Sequence, residues 1–505
     1  MAKYGQCKFG QGLYGPKQCL KEGVNYWFLQ IDWGESDSWV GVDQVSEYIL
    51  TEGIDVQRGR ESNINPGGDG FSKMPVGTCT IKMRNDTGIY NAYNATSPLY
   101  PNVWPEKKFK LDYQKGYSGA RREVFSGYVS NIEPQKINGI DCVVLSGEDG
   151  MRNLRDNDAN VSLTESIETG PAIQDILDDI GWDDPVSLED GADSIDYWWV
   201  SQQKADTAVH DLAVSEMGNF FIAKDGTATY YGRHHVYTSV VTLDGEDIGP
   251  NPVIRQPWEV VKKKVNLTLY PKVLQATDEL WRLQDTPAVP AGSSIELWGN
   301  YTYDSRYVAA KTILCQATTD YTSNTQSGGG GDDLTADFTV TITNFGTAAK
   351  MVVANTGAVD GYVTLLKLRG DAVDTPSDVT VTDSVGTGKG IFTEDMQWQQ
   401  DVNTGVDLAG FLVSALSEDS FYPIIEMETD ADQQIAFELM DKITLDLEDN
   451  SIDEQDFKIG KLRHQTYGGG GGIVHTTLWL EPPLSDIEGY WTFTTSIGVT
   501  SKFAY

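Results

Sequence analysis

The chain is poor in positive charge: 38 Lys and Arg stand against 74 Asp and Glu, a formal net charge of −36. Binding to a phosphate backbone needs clustered Lys and Arg, so no specific nucleic-acid site is expected. The nearest thing to a basic run, Val260-Val261-Lys262-Lys263-Lys264-Val265, reads as a β-strand with a solvated end. The acidity favours solubility and does not define a fold; a salty habitat or a basic partner is equally compatible with it.

Cysteine is scarce. Cys7, Cys19, Cys79, Cys142 and Cys315 include no C-x-x-C pair, so a zinc site lacks its usual spacing. The odd, scattered count reads as reduced, buried thiols, with a Cys7–Cys19 pair as the open alternative. Histidine is limited to His210, His234, His235, His464 and His475, and H-E-x-x-H, G-x-S-x-G and Walker sequences are absent. No apolar run approaches the ~18 residues of a membrane helix, and Met1-Ala2-Lys3-Tyr4-Gly5 carries no apolar signal core. The expectation is a soluble protein made in a cytoplasm.

Glycine, by contrast, is abundant at 51 residues. Gly, Thr, Asp and Asn between short apolar runs describe a β-rich, turn-rich chain. At ~100–200 residues per domain, the length indicates roughly three or four domains. Residues 1–24 carry Tyr4-Gly5, Phe9-Gly10 and Tyr14-Gly15 and cannot bury a core alone; they read as an extended arm that orders on a neighbour. Residues 25–150 read as all-β. In Thr78–Arg84 the apolar Cys79, Ile81 and Met83 alternate with polar residues, the period of a half-buried strand. Turns are expected at Asn85-Asp86-Thr87-Gly88 and Asn138-Gly139.

Residues 151–232 switch to a helical period. Ile173, Ile176, Leu177 and Ile180 share one face, with Thr169 as the expected N-cap and Pro171 in the first turn. A second helix is expected from Ala205 to Met217, ended by Gly218, then a hairpin through Asp225-Gly226. Residues 233–271 return to strands and end in Val265–Tyr270. Residues 272–397 read as a β-sandwich with a polar loop, Thr322–Asp333. Residues 398–505 open with a helix in which Thr404 and Asp407 resemble a capping box and Ala409, Leu412, Val413 and Leu416 form the apolar stripe. The glycines Gly468–Gly472 are expected to link two strands.

Four groups of residues invite a chemical reading, each with a bland counterpart. His234-His235 is the one adjacent pair, and neighbours on a strand face opposite sides, which prevents joint chelation. Asp156, Asp158 and Asn160 alternate as in a calcium loop, but the Gly and distal Glu are out of register. Tyr197-Trp198-Trp199 reads as a sugar-stacking platform or, preferably, as a core strand or subunit interface. His210 beside Asp211 reads as a surface or packing residue, because no motif places a nucleophile near it. No catalytic, cofactor-binding or metal residue is named.

Order, rather than any one motif, carries a resemblance. Arg58-Gly59-Arg60-Glu61 is followed by Pro75-Val76-Gly77-Thr78-Cys79-Thr80, Asn85-Asp86-Thr87-Gly88, Tyr90-Asn91 and Ser97-Pro98-Leu99-Tyr100. Phe125-Ser126-Gly127-Tyr128-Val129 and Ile132-Glu133-Pro134 come next, then a helix ending in Gly-Trp over Gly170–Trp182 and a hairpin over Glu216–Arg233. Phe345–Lys350, Tyr362–Gly370, Gly460-Lys461-Leu462-Arg463-His464 and Trp479-Leu480-Glu481-Pro482 complete the set. In this order the phrases resemble the minor tail proteins encoded after the tape measure in long-tailed phages and prophages.

The resemblance implies a mainly β, multidomain fold with two tube-like β-barrel domains, a small α/β unit and an inserted β-sandwich. The implied domains are an arm at 1–24, a first barrel at 25–150, an α/β unit at 151–232, a second barrel at 233–271 plus 398–505, and a sandwich at 272–397. The implied role is a non-enzymatic, cofactor-free hub of a tail tip, three copies forming a ring. Partners would be the distal tail or tail tube protein, the tape measure protein, and tail fibres or other tip proteins. The implied place is the virion tail tip after assembly in the host cytoplasm, with roles in host attachment and DNA ejection. No lysozyme- or peptidase-like module is expected after Tyr505. Two alternatives stay open: a receptor-binding protein whose sandwich holds a host-surface glycan, and a glycan hydrolase with unmarked carboxylates.

Overall fold

The computed structural model describes residues 24–483 apart from 36–42, 45–47, 61–73, 117–118, 250, 257, 387–389, 418–420, 448–449, 451 and 469–471. All of the expected arm at 1–24 except Val24, with Cys7 and Cys19, and most of the Gly468–Gly472 loop lie outside the described residues.

The fold is mainly β and built of several sheets. Its backbone is one 13-stranded sheet. Along it run, in order, Val253–Arg255, Tyr422–Met427, Ile473–Glu481, Ile452–Tyr467, Ile49–Gly59, Thr78–Arg84, Ile140–Glu148, Arg121–Ile137, Lys108–Lys115, Asn25–Ile31 and Asp43–Gln44. Lys442–Leu447 branches from Ile452–Tyr467 and pairs in parallel with Ser239–Asp244. Thr78–Arg84 shows the expected alternation, with Cys79, Ile81 and Met83 buried. Asn138 and Gly139 adopt φ of 51° and 82° at the tip of a hairpin, the positive angles a tight hairpin turn needs.

The expected pair of barrels takes a different form. Apart from Lys264–Leu269, the strands of both regions belong to one continuous sheet, joined where Arg58 lies opposite Leu462 and Gly59 opposite Lys461. No closed barrel is present among the described residues. The sheet curls far enough for the Asn25 side chain to donate to the Gly472 carbonyl at 2.9 Å. Inside the curl, Trp27, Ile54, Leu111, Phe125 and Val474 form a core together with Ile435.

Five helices are described: α1 Met151–Asp156, α2 Thr169–Asp179, α3 Ala205–Glu216, α4 Val402–Leu416 and α5 Ala431–Ala436. On α2 the residues Ile173, Ile176 and Leu177 are buried, each worth about 1.5–3 kcal/mol relative to exposure. They share a core with α3 and with Ile443, Phe457, Leu462 and Leu478 of the large sheet. The α/β unit is thus fused to one half of the sheet.

Three cap assignments change. Glu168, not Thr169, precedes α2, and Thr169 is its first residue. At the end of α3 the left-handed position belongs to Met217 (φ 59°); Gly218 instead makes room for Tyr230, whose ring atoms would lie 2.6 Å from an added Cβ. The cap of α4 is Asp401, which accepts from the Asn403 backbone N–H at 2.9 Å and the Thr404 hydroxyl at 3.2 Å. In each case the boundary falls one to three residues before the position that local propensity assigned, and only Asp401 caps with its side chain.

The segment around the sandwich also departs from expectation. Lys264–Leu269 pairs with Val379–Ser384 and Ile391–Met396 in a three-stranded sheet. Its Val265, Leu267 and Leu269 pack with Leu408, Leu412 and Leu416 of α4. Neither this strand nor α4 joins the large sheet. The sandwich core proper is Leu280, Tyr301, Phe338, Met351, Val363 and Leu368 with their neighbours. Its first and last strands enter side by side, Val273 opposite Asp374 and Leu274 opposite Val373.

Candidate functional site

A gathering of buried charge lies where the two halves of the large sheet meet the α/β unit. Gly59 has φ of +102°, and an added Cβ would stand 2.5 Å from the Gly460 carbonyl oxygen; only glycine permits this crossing. The bend carries Arg58 and Arg60 toward the hairpin of the α/β unit. Arg58, 2% exposed, pairs with Glu438 at 2.6 Å and donates to the Ile222 carbonyl at 3.4 Å. Arg60 meets Glu481 at 3.3 Å and also the Asn219 side chain. Lys458 approaches Glu481 at 3.9 Å and lies 5.0 Å from the centre of the Tyr237 ring.

The hairpin turn reaches back. The Lys224 backbone N–H donates to Glu438 at 2.9 Å, and its ammonium donates to the carbonyls of Ile435, Ala436 and Phe437 at 3.0, 2.6 and 3.1 Å. These are the carbonyls around the C-terminus of α5, which the helix cannot satisfy itself and where a cation is favoured. At its other end α5 is tied to the first region by Arg122, which grips Asp432 through two bonds of 3.0 Å.

Burial shifts the titrations here. Asp149, 4% exposed, accepts from the backbone N–H of Gly77 at 2.9 Å and of Met151 at 3.1 Å. Burial nevertheless pushes its carboxyl up to about 7, against the lowering effect of those bonds and of Arg58. Asp441 is pushed up to about 6 by burial. His464, fully inside and bonded to the Thr476 hydroxyl at 2.8 Å, is pushed down to about 3 by burial first and then by Arg58 and Lys224. The ion pairs answer most of this charge, though Arg58 Nε and Nη2 and Arg60 Nε are buried without a hydrogen-bond partner among the described residues, and breaking such a buried pair is costly.

A second joint attaches the sandwich. Trp198 is wholly buried, and Trp199 meets Trp398 edge-on at 5.3 Å and 85°. Lys272, the residue before the sandwich, places its ammonium 5.2 Å from the Trp199 ring and 5.3 Å from that of Trp398. It also donates to Thr375, the residue after the sandwich, at 3.0 Å. Burial lowers the Lys272 amine to about 8. Beyond this knot the described contacts include Ser201 to Thr347 at 2.8 Å, Ser162 to the Asn344 carbonyl at 2.9 Å, Lys311 to Glu165 at 2.6 Å, and Gly346 set so close to Trp199 and the Val200 carbonyl that a Cβ would lie 2.8 and 2.9 Å from them.

The residues singled out in the sequence end in different places. In Tyr197-Trp198-Trp199, Trp198 is buried and Trp199 is engaged with Trp398 and Lys272 in this joint, while Tyr197 is half-buried. His235 accepts or donates a bond with Glu189 at 2.6 Å and stacks on Tyr231 at 3.8 Å, while His234 is exposed. Both lie in the turn after Ala228–Tyr231, not on a strand. Asp156 pairs with Arg155 at 3.0 Å and Asp158 with Lys204 at 2.8 Å; Asn160 offers its backbone N–H to Asp179 at 2.7 Å. Those acids answer basic side chains rather than converging on one point. His210 sits half-buried on α3. Cys79 and Cys142 are buried free thiols, and Cys315 is a half-buried one. Among the described residues no three His, Cys, Asp or Glu side chains gather as a metal site, and no helix is long and apolar enough to cross a membrane.

Sequence reading missed Glu438, Lys224, Asp149, Lys272 and Trp398. Lys224 lies within the quoted hairpin phrase but was not singled out there, and the other four sit in no motif. It did collect their partners: Arg58, Arg60, Gly77, the hairpin, Gly460–His464 and Glu481 all lie in phrases quoted above, and the charged joint is where those distant phrases converge.

No protein-family model matches the sequence, and no curated protein matches it. The fold is similar to the crystal structure of a tail protein from Neisseria meningitidis MC58, with TM-score 0.50 and 10% identity over 93% of this chain and 98% of that one. The 43 kDa tail protein of prophage MuSo2 from Shewanella oneidensis gives 0.49 and 10%, over 91% and 99%. The prophage tail protein gp18 from Listeria monocytogenes EGD-e gives 0.42 and 8%, over 90% and 94%. In the first comparison the likeness runs nearly end to end, so this chain has the fold of a tail protein.

Proposed function

We propose that this chain is a structural hub of a phage tail tip, three copies of which form a ring that continues or closes the tail tube. The observation that supports it most is the fold shared with the Neisseria tail protein across 98% of that chain. The curled sheet supports it mechanically. A wall strapped by Arg58–Glu438 and by Lys224 on α5 resists bending between its halves, as a tube segment must. Closure by rotation would limit growth to a ring. The distal tail or tail tube protein, the tape measure protein and tail fibres or other tip proteins are its proposed partners, and the virion tail tip its proposed place, with roles in host attachment and DNA ejection.

The proposed role is non-enzymatic, because the charges brought together are spent on each other rather than aimed into a cleft. Mass measurement over a wide concentration range, alone and with tail tube protein, tests the ring. A trimer, or threefold rings in electron micrographs, is expected; a monomer that also fails to join tube protein overturns it. Pure protein is expected to release no reducing ends from host envelopes. Release abolished by a single Asp or Glu substitution would establish a hydrolase instead.

A further inference from the structure

The sandwich presents one flat face that its own core does not explain. Three strands, Ser294–Asn300, Ala348–Asn355 and Phe338–Phe345, lie edge to edge in that order reversed about the middle strand, Trp298 opposite Lys350 and Lys350 opposite Thr343. Side chains alternate between faces. Inward point Met351 and Val353, with Ile295, Leu297, Val340 and Ile342 packed on the core. Outward, on the other face, stand Glu296, Trp298, Thr339, Thr341 and Thr343, all exposed.

Trp298 is the anomaly: it is 56% exposed although a neighbour orders it. Phe345 stacks on it at 5.3 Å with 22° between the rings. The small Ala348 lies between them in register, opposite both Asn300 and Phe345, which lets the indole lean across the middle strand. One side of the indole is therefore backed and fixed while more than half of its surface meets water. Beside it, Lys350 and Glu296 form a 2.8 Å ion pair, so the face has no net charge. The threonine row adds hydroxyls at every second residue of one strand.

We propose that this face is a carbohydrate-binding platform for an uncharged glycan chain. The electron-rich face of a fixed indole attracts the weakly positive C–H face of a sugar ring. Hydroxyls and an ion pair in the same plane can exchange hydrogen bonds with sugar hydroxyls. An anionic polymer is disfavoured by the chain's net charge of −36 and by the neutral face. A protein partner is disfavoured because protein interfaces centre on apolar, charge-depleted patches, whereas the indole, backed by Phe345, has the Lys350–Glu296 pair and the threonine row on the same face, with the half-buried Ala348 and Val352 as its other apolar neighbours there. The proposal goes beyond the hub role and does not depend on a ring.

The test is affinity electrophoresis of the full chain in gels containing dextran, starch, galactomannan or soluble β-glucan, with polygalacturonate as the anionic control. Retardation by at least one neutral polymer and none by polygalacturonate is expected. Trp298→Ala should weaken it about tenfold or more, Trp298→Phe only partly, and Thr341→Val by a few-fold. Because Trp298 is a surface residue, Trp298→Ala should melt as the parent does. No retardation by any neutral polymer, equal retardation of Trp298→Ala, or binding to polygalacturonate alone overturns the proposal. A change of oligomer mass in Trp298→Ala, without any glycan effect, would show the face to be a contact between copies and overturns it too.

Discussion

The charged joint and the sandwich joint hold large pieces of the same chain by different means. At the first, Arg58, Arg60, Lys224, Lys458, Glu438 and Glu481 interlock strands and loops that are far apart in sequence, and backbone pairing continues across it. At the second, no sheet runs from body to sandwich among the described residues: one lysine, an aromatic knot, the close approach of Gly346 to Trp199 and Val200, and a few polar contacts hold it. The first couples stability to every neighbouring element. The second lets a folded unit with its own core be carried while the body keeps its shape.

The contrast is sharpest at Glu438. Removing it by Glu438→Ala leaves Arg58 buried with only the long Ile222 bond among the described residues, which costs about 3–5 kcal/mol. Denaturant unfolding should show this as a marked drop in midpoint, and a drop below about 1 kcal/mol would demote the joint to a decoration.

Acid should act on the same joint through His464 on one side and Asp149, with Asp441 shifted in the same direction, on the other. His464 is held down to about 3 from an ordinary 6.5. As pH falls below 6.5 the unfolded chain takes a proton that the folded one refuses, so stability falls until about 3. Asp149 works the other way: it is held up to about 7 from 3.8, so between those values the folded protein keeps a proton that the unfolded chain releases, and acid stabilises. Melting temperature followed from pH 7 to 4 should therefore decline less steeply in His464→Gln and more steeply in Asp149→Asn. The same slope in both variants would remove these groups from the account.

At the sandwich joint, effects should be small. Ser201→Ala loses one part-buried hydrogen bond to Thr347, worth about 0.5–1.5 kcal/mol, and the body's transition should barely move. Smallest of all should be the effect of excision. Because Leu274 and Val373 are paired neighbours, a short Gly-Ser turn joining them should remove the sandwich and leave the remaining transition in place. The cut must spare 379–396, whose strands belong with Lys264–Leu269. Aggregation of that product would erase the distinction between the two joints.

Much of the local structure was legible. The alternation in Thr78–Arg84, the apolar stripe of α2 and the Asn138-Gly139 turn follow from neighbours within a few residues, and all three are present. Cap positions were less legible because Asp401 and Thr404, or Glu168 and Thr169, compete within one turn of chain. The phrases around Arg58 and Gly460 pointed at the candidate joint without saying why they mattered.

The sequence by itself determined the strands, the helices, the turns and the acidic character, since these depend on side-chain period, backbone preference and charge count. Only the tertiary structure decided that Arg58 faces Glu438 and that Gly59 lies against Lys461. It alone took Lys264–Leu269 out of the large sheet and left Trp298 bare beside Phe345. The physical reason is that a strand carries pairing groups along both edges and a charge attracts any opposite charge, so neither names its partner until distant segments, here some 400 residues apart, are packed against one core.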